Sequence, residues 1–403
     1  MPVGSTMDEL WLRMRDYAAM IRSQEANATF WGPEEWGWNG YLFSGYDQWF
    51  ANAGNGWARP DRVAHGNVDY APWLLQQFRN YETQNGTRLL DVFTLHYYPQ
   101  GGETNDDVSA AMQARRNRST RSLWDPNYTD ESWINDKVRL IPRMRGWVNR
   151  YYPNTKIGVT ECNWGAEGHI NGATTQADIF GIFGREGLDI GTRWTTPATG
   201  SPVFNAMKMY RNYDGNKSGF GDMSVRATVS DPDAVSAFAA ERSSGGALTI
   251  MVVNKVGSSQ SATISLQNFS AQSAVQVWQL TSTNQITQQA NAQVVSGAIS
   301  TTLPAQSITL FIVSPNALAA PTALIGKRFM NIHFLWWNDV TNDEDGFVIE
   351  RSMNGGPFVE VARVGANTTN YSRMSKWGNY QYRVRTGKGV LLSVPSNVIQ
   401  LKG

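Results

Sequence analysis

The chain reads as an α/β segment followed by all-β modules, and three observations carry that reading. Up to about Ser218, stretches of helical periodicity alternate with short apolar strands. Beyond that point the helical period stops, and short strand-like segments recur between Gly, Ser, Asn and Asp. Ser314–Pro321, SPNALAAP, has the composition of a linker. The division implied is residues 1–218, 219–315 and 322–403. Helix–strand repeated four times, with polar and aromatic residues just past each strand, is half of a (β/α)8 pattern. Four strands also suit an open α/β sheet, and the pattern alone leaves both open.

Composition narrows the function classes. At 403 residues the chain exceeds a single core. A net charge of +1, with the signs mixed, gives no electrostatic case for nucleic acid or an anionic membrane as partner. Sixteen Trp beside 15 Tyr and 16 Phe make aromatic surface the outlying feature. The single Cys excludes an intramolecular disulfide framework. No apolar run approaches the roughly 20 residues of a membrane span. The opening MPVGSTMDEL has neither the basic nor the apolar region of a signal peptide.

In chain order, Ser5 or Thr6 caps a first helix with Asp8 and Glu9 in its first turn. Leu10, Met14, Tyr17, Ala18 and Ile21 form its stripe. Ala28–Gly32 reads as a strand running into Pro33-Glu34-Glu35-Trp36-Gly37-Trp38. A helix over about Tyr70–Asn85 precedes the strand Leu89–His96, which ends in His96-Tyr97-Tyr98-Pro99. Gly101–Asp130 reads as a surface excursion containing a short helix, with Arg115, Arg116, Arg118 and Arg121 solvated. Glu131–Tyr152 reads as a helix and Lys156–Thr160 as a short buried strand ending at Glu161. A helix over Thr174–Gly187 and a short strand, Asp189–Trp194, complete the α/β part. The β segments expected next are Val225–Val229, Ala234–Glu241, Leu248–Asn254, Ser261–Leu266, Ala274–Gln279, Ala298–Leu303 and Ser307–Val313. Thr322–Lys402 resembles a fibronectin type III domain in Phe334-Leu335-Trp336, DEDGFVIERS, VEVARVG and YQYRVR.

The stretch KIGVTECNWG (156–165) carries the chemistry. A carboxylate at the mouth of a parallel strand, beside an amide and an indole, suits attack on a sugar's anomeric centre with a ring stacked alongside. Trp36, Trp38, Trp164 and Trp194 each fall at or past a strand end, where convergence points to sugar stacking. His96, Tyr97 and Tyr98 are candidate ligand contacts, and a tyrosine hydroxyl can orient a catalytic carboxylate. Glu167 and His169 form an E-x-H pair, for which a loop hydrogen bond is the simpler reading than a metal.

GPEEWGW (32–38), LHYYPQGG (95–102), TECNWGAEGHINGA (160–173) and RWTTP (193–197) together resemble glycoside hydrolase family 44. The resemblance implies a (β/α)8 barrel plus a β-sandwich acting as a retaining endo-β-1,4-glucanase or xyloglucanase. It implies Glu161 as nucleophile at the end of strand seven. The family commonly has Tyr where Cys162 stands. Its acid/base lies in an Asn-Glu-Pro motif at strand four, and no Asn-Glu-Pro occurs in this sequence. The expectation is therefore an N-terminally truncated enzyme holding about strands five to eight, whose isolated activity is in question. Glu34 and Glu35 are the substitutes considered for the acid/base. Neighbouring strand residues point to opposite faces, so at most one can reach the site. A non-catalytic carbohydrate-binding or structural protein is the alternative. The resemblance also implies a β-glucan partner, an extracellular location and no organic cofactor. A structural calcium at Asp106 and Asp107 is left open.

Overall fold

The computed structural model describes residues 4–402. Helix α1 (Met7–Gln24) opens with a reciprocal box, the Thr6 hydroxyl accepting from the Glu9 amide while Glu9 accepts from that of Thr6. Strand β1 (Trp31–Glu35) follows, then the short helices α2 (Trp38–Leu42), α3 (Gly45–Phe50) and α4 (Pro60–Ala64). Next come α5 (Tyr70–Asn85), β2 (Val92–Tyr97), α6 (Ala110–Ser119), α7 (Leu140–Tyr151), β3 (Lys156–Cys162), α8 (Ile170–Arg185), β4 (Ile190–Gly191) and α9 (Pro202–Arg211).

The strands β1–β2–β3–β4 pair in parallel and in sequential order. Right-handed crossovers in an unreversed order put every connecting helix on one face. That face is the apolar one: Phe93 and Leu95 of β2 and Ile157 and Val159 of β3 pack with Leu74, Leu75 and Phe78 of α5. Leu140, Ile141 and Met144 of α7 and Ile179 and Ile182 of α8 join them. Thr94, His96 and Thr160 alternate with these residues and face away from the helices.

Several boundaries depart from the sequence expectations. The first strand lies three residues later than Ala28–Gly32, so Glu34 and Glu35 belong to the strand and not to the loop after it. Pairing with Val92–Leu95 sets this. Residues 131–139 are not helical; α7 begins at Leu140, and Glu131 instead accepts from Arg118 and Tyr128. Helix α8 starts four residues early, because the His169 ring nitrogen caps the Asn171 amide. Strand β4 shrinks to two residues. Helix α9 was not anticipated, although Ser201-Pro202 is an N-cap followed by proline in the first turn.

The next strands are β5 (Met223–Val225), β6 (Val235–Glu241), β7 (Leu248–Asn254), β8 (Gln260–Ser265), β9 (Ala271–Leu280), β10 (Ile286–Val295), β11 (Ala298–Leu303) and β12 (Ser307–Pro315). Their order is β5-β6-β7-β12-β9-β10-β11-β8. One face carries Met251, Val253, Leu280, Ile308 and Leu310 against Ala173, Ala177, Met209 and Tyr210 of α8 and α9. The other carries Ile250, Val252, Val277 and Phe311 against Ile299 and Leu303 of β11. Strand β7 is buried along its whole length and β12 from Ser307 to Val313, so both of their faces are covered and Thr249 and Thr309 are buried with their apolar neighbours. Strand β10, exposed along most of one side, was missed.

The last strands are β13 (Thr322–Phe329), β14 (Ile332–Asn338), β15 (Gly346–Met353), β16 (Val359–Gly365), β17 (Asn370–Met374), β18 (Asn379–Lys388), β19 (Leu391–Leu392) and β20 (Ile399–Lys402). They form one sheet β13-β14-β17 and another β16-β15-β18-β19, with β20 added on β18. Leu335, Trp337, Phe347, Tyr380 and Tyr382 fill the space between them.

Candidate active site

Two irregularities aim carboxylates at the same imidazole. In β1 the pairing slips between Pro33 and Glu35, and the extra residue, Glu34, takes a left-handed φ of 62°. In β3 the pairing slips so that His96 stands opposite Glu161 after Leu95 stood opposite Val159. Each bulge breaks the strict alternation, so Glu34 and Glu161 both reach His96 on the face away from the helices.

The contacts are specific. His96 Nε2 lies 2.9 Å from Glu34 Oε2, and His96 Nδ1 lies 3.1 Å from Glu161 Oε2. Glu34 Oε1 accepts from the Thr94 hydroxyl at 2.7 Å, and its Oε2 accepts from the Thr160 hydroxyl. The Tyr98 hydroxyl donates to Glu161 Oε2 at 3.0 Å. Burial, and next the bond to Glu161, push the Tyr98 phenol well above its ordinary value, so it stays a donor. The Tyr41 hydroxyl donates to the His96 carbonyl oxygen and fixes the backbone beneath the ring.

Glu35 goes the other way. It stands opposite Leu95, whose side chain lies in the helix-side core, and its carboxyl lies against Gly40 of α2. Desolvation there raises its pKa to about 7. Of the two glutamates considered as acid/base substitutes, the structure brings Glu34 to Glu161 and carries Glu35 away. Glu34 is also not a free acid, since two hydroxyls and an imidazole hold its oxygens.

The aromatic candidates divide. Trp36 and Trp194 are each 54% exposed. Trp194 sits beside the site, its amide donating to the Cys162 carbonyl oxygen. The expectation for Trp38 and Trp164 as stacking platforms fails. Trp38 is buried against Tyr41 with the Arg143 guanidinium over its ring. Trp164 is buried beside Tyr97 and donates to the Ser119 hydroxyl. Tyr97 is likewise no ligand contact: it points to the helix side, where its hydroxyl donates to Asp130. Alternation along β2 puts His96 and Tyr97 on opposite faces, and only His96 reaches the site.

Residues not anticipated complete the rim. Arg193 donates to the Asn163 side chain at 2.9 Å and pairs with Glu167 at 2.5 Å. Glu167 is thus engaged as an ion pair. The exposed Trp133 donates to Gln100, which itself donates to the Tyr98 carbonyl. Arg116 overturns the expectation of a solvated arginine cluster. It is fully buried, and its guanidinium donates to the carbonyls of Glu103, Trp164, Asn105 and Asp107 and to the Asn171 side chain. It ties the loop after β2 to the loop after β3. Cys162 is buried, which raises its thiol to about 12. Among the described residues no group of three or more His, Cys, Asp or Glu is placed to hold a metal ion, and Asp106 and Asp107 belong to no such group.

Residues 1–101 match the family model for glycoside hydrolase family 44. Over 262 residues the chain is 35% identical to endoglucanase A of Paenibacillus lautus, covering 61% of this chain and 35% of that protein. The crystal structure of CelM2, a bifunctional glucanase-xylanase from a metagenome library, is 61% identical with a TM-score of 0.77. That match covers 78% of this chain and 61% of that one. These comparisons agree in likening the chain to glycoside hydrolase family 44. A family 44 xyloglucanase from Paenibacillus polymyxa, solved with xyloglucan, is 28% identical with a TM-score of 0.69, covering 77% of this chain and 62% of that one. The chain spans about a third of the curated endoglucanase and under two thirds of these solved structures.

Proposed function

We propose that this chain is of glycoside hydrolase family 44 and carries the nucleophile half of a retaining endo-β-1,4-glucanase acting on glucans of the cellulose or xyloglucan type. The observation that carries the reading is Glu161, at a parallel strand end, with two groups on its Oε2. Its Oε1 takes no hydrogen bond among the described residues. That oxygen is free to form a bond to the anomeric carbon as the glycosidic bond breaks. The leaving oxygen then takes its proton from a second carboxyl, which water later meets as a base. No Asn-Glu-Pro is present in the sequence, and Glu34 is held by Thr94, Thr160 and His96, so that second carboxyl is proposed to lie on residues beyond these. The four-stranded sheet is read accordingly as strands five to eight of a (β/α)8 barrel. The outer edge of β1 is unpaired among the described residues, and Tyr17, Met20 and Ile21 of α1 are exposed, as a face awaiting more barrel would be. Residues 219–315 are proposed as a β-sandwich buttress and 322–403 as a fibronectin type III-like module. An extracellular location is proposed from the curated bacterial endoglucanase relatives.

The test is reducing-sugar release from xyloglucan and carboxymethylcellulose, with Glu161→Gln as control and an upstream family 44 segment containing Asn-Glu-Pro supplied in parallel. Release that needs both the segment and Glu161 supports the reading. Release unchanged in Glu161→Gln overturns the nucleophile. Silence in every combination favours a carbohydrate-binding protein without turnover.

A further inference from the structure

We propose that the cavity enclosed by α8, the turn after α6 and the β5–β6 loop is a binding site for a small oxyanion, a phosphate or a carboxylate-bearing molecule. It shares no lining residue with the strand ends around Glu161 and does not depend on that residue's role. The cavity measures about 330 Å³, more than one phosphate group fills, and it sits where a helix of the parallel sheet meets the β-rich layer. Four of its lining side chains are cationic, Arg121, Arg185, Arg226 and Lys255, against two acidic ones, Asp178 and Glu186.

Donors without acceptors decide the chemistry of the ligand. The Lys255 ammonium carries three N–H groups on a side chain that is 1% exposed. One of them donates to Asp178 Oδ2 at 3.1 Å, and no second acceptor receives from it among the described residues. Arg185 donates through Nε to Glu186, while its Nη2 is out of solvent and without a partner. The Ser236 hydroxyl, on β6, is likewise buried and unpartnered. Arg226, on the β5–β6 loop, is exposed and pairs with no carboxylate among the described residues. The acidic groups are matched already: Asp178 by Lys255, Glu186 by Arg185, and Asp125 and Asp233 by Arg121. The buried acceptor left without a partner here, Asp233 Oδ1, lies outside the lining. A water molecule would add two donors to a space already rich in them, whereas an oxyanion brings acceptors only. Bonds to it from Lys255 and Arg185 are charge-assisted and are strengthened by burial. The Trp124 ring, with the Arg185 guanidinium 4.2 Å from its centroid, supplies an apolar wall for the body of an organic anion. Because Arg185 closes α8, Ser236 lies in β6 and Lys255 follows β7, the bound anion bridges the two layers.

The test is isothermal titration calorimetry of the full chain with inorganic phosphate and, separately, with sodium glucuronate, at constant ionic strength and with glucose as the neutral control. At least one of the anions is expected to bind in the millimolar range or tighter. Its affinity is expected to fall by roughly tenfold in Arg226→Gln or in Ser236→Ala, and a fall in either variant places the anion in this cavity. Arg226 is exposed, so its variant is expected to fold as the unmodified chain does. Binding of phosphate alone supports an inorganic anion site, and binding of glucuronate alone supports a site for an organic carboxylate. No heat with either anion overturns the proposal. Glucose binding as tightly as glucuronate also overturns it, as does an affinity unchanged in both variants. Thermal melts give a second readout, because a ligand that binds only the folded chain raises its Tm. The rise is expected to be smaller in Arg226→Gln, and an equal rise in both chains would mark a general salt effect and overturn the site.

Discussion

Adjacent residues of one strand can carry opposite electrostatic fates, and Glu34 and Glu35 show it. Glu34 is held by three donors, whereas Glu35 is desolvated against α2 and its pKa rises to about 7. A carboxyl whose folded pKa lies above its unfolded value binds its proton more tightly in the folded state. It therefore contributes stability that is fully present below the unfolded value of 4.5 and lost as pH rises through about 7. Glu35→Gln removes the ionisation while keeping the shape. The expected result is a higher denaturation midpoint above neutrality, on the order of 1–3 kcal/mol, and little change in acid. Urea melts at two pH values check it, and an equal gain at both would assign the effect to packing. The tryptophans give a second residue-scale contrast. Trp194→Ala is expected to leave stability within about 0.5 kcal/mol but to weaken retention on immobilised xyloglucan. Trp38→Ala is expected to cost about 3–5 kcal/mol, because it empties a core position under Arg143. Paired melts and affinity electrophoresis separate the two. The sequence could not, since a Trp past a strand end reads alike whether the next turn exposes or buries it.

Elements were legible where one periodicity ran unbroken, as in α5, and illegible where a single residue changed the phase. Glu161 could be singled out because its whole flanking run carries the family pattern. Glu34 could not be assigned a face, because a bulge shifts the parity on which any alternation argument depends. Helix α8 adds a constraint of another kind. A Cβ built on Gly181 would lie 2.1 Å from the Phe238 ring of β6, so the missing side chain is what lets this helix approach that sheet. Phe238 is itself buried, and Arg185 lies over it, which limits how far the ring can retreat. Gly181→Val is expected to destabilise by about 1–3 kcal/mol or more through overpacking. Gly184→Ala, with open space around its Cβ position, is expected to be neutral or slightly stabilising. Thermal melts of the two variants test whether close approach is the cause. Comparable losses would mean that helix disruption is.

At the scale of the molecule, the question is what makes the parallel sheet and the β-rich layer behind α8 one cooperative unit. Apolar contact supplies area, but the junction also buries a charge pair: Lys255 Nζ lies 3.1 Å from Asp178 Oδ2, with both side chains almost wholly out of solvent. Thr120 donates to the same Asp178 oxygen, and the Asn117 side chain donates to the Lys255 carbonyl, so residues around α6, α8 and the end of β7 meet at one point. Desolvation makes such a pair a weak net contributor, whereas removing one partner strands the other charge. Lys255→Met alone is therefore expected to cost about 3–5 kcal/mol, and Lys255→Met with Asp178→Asn to recover most of that loss. Asparagine keeps an acceptor for Thr120 and removes the orphan charge. Calorimetry of the single and double variants decides between two roles for the pair. Recovery with one sharp transition means that packing of α8 and α9 against β7 and β12 couples the layers and the ion pair fixes their register. A double variant as unstable as the single, or a transition split in two, means that the charge pair itself fastens the β layer to the sheet that presents Glu161.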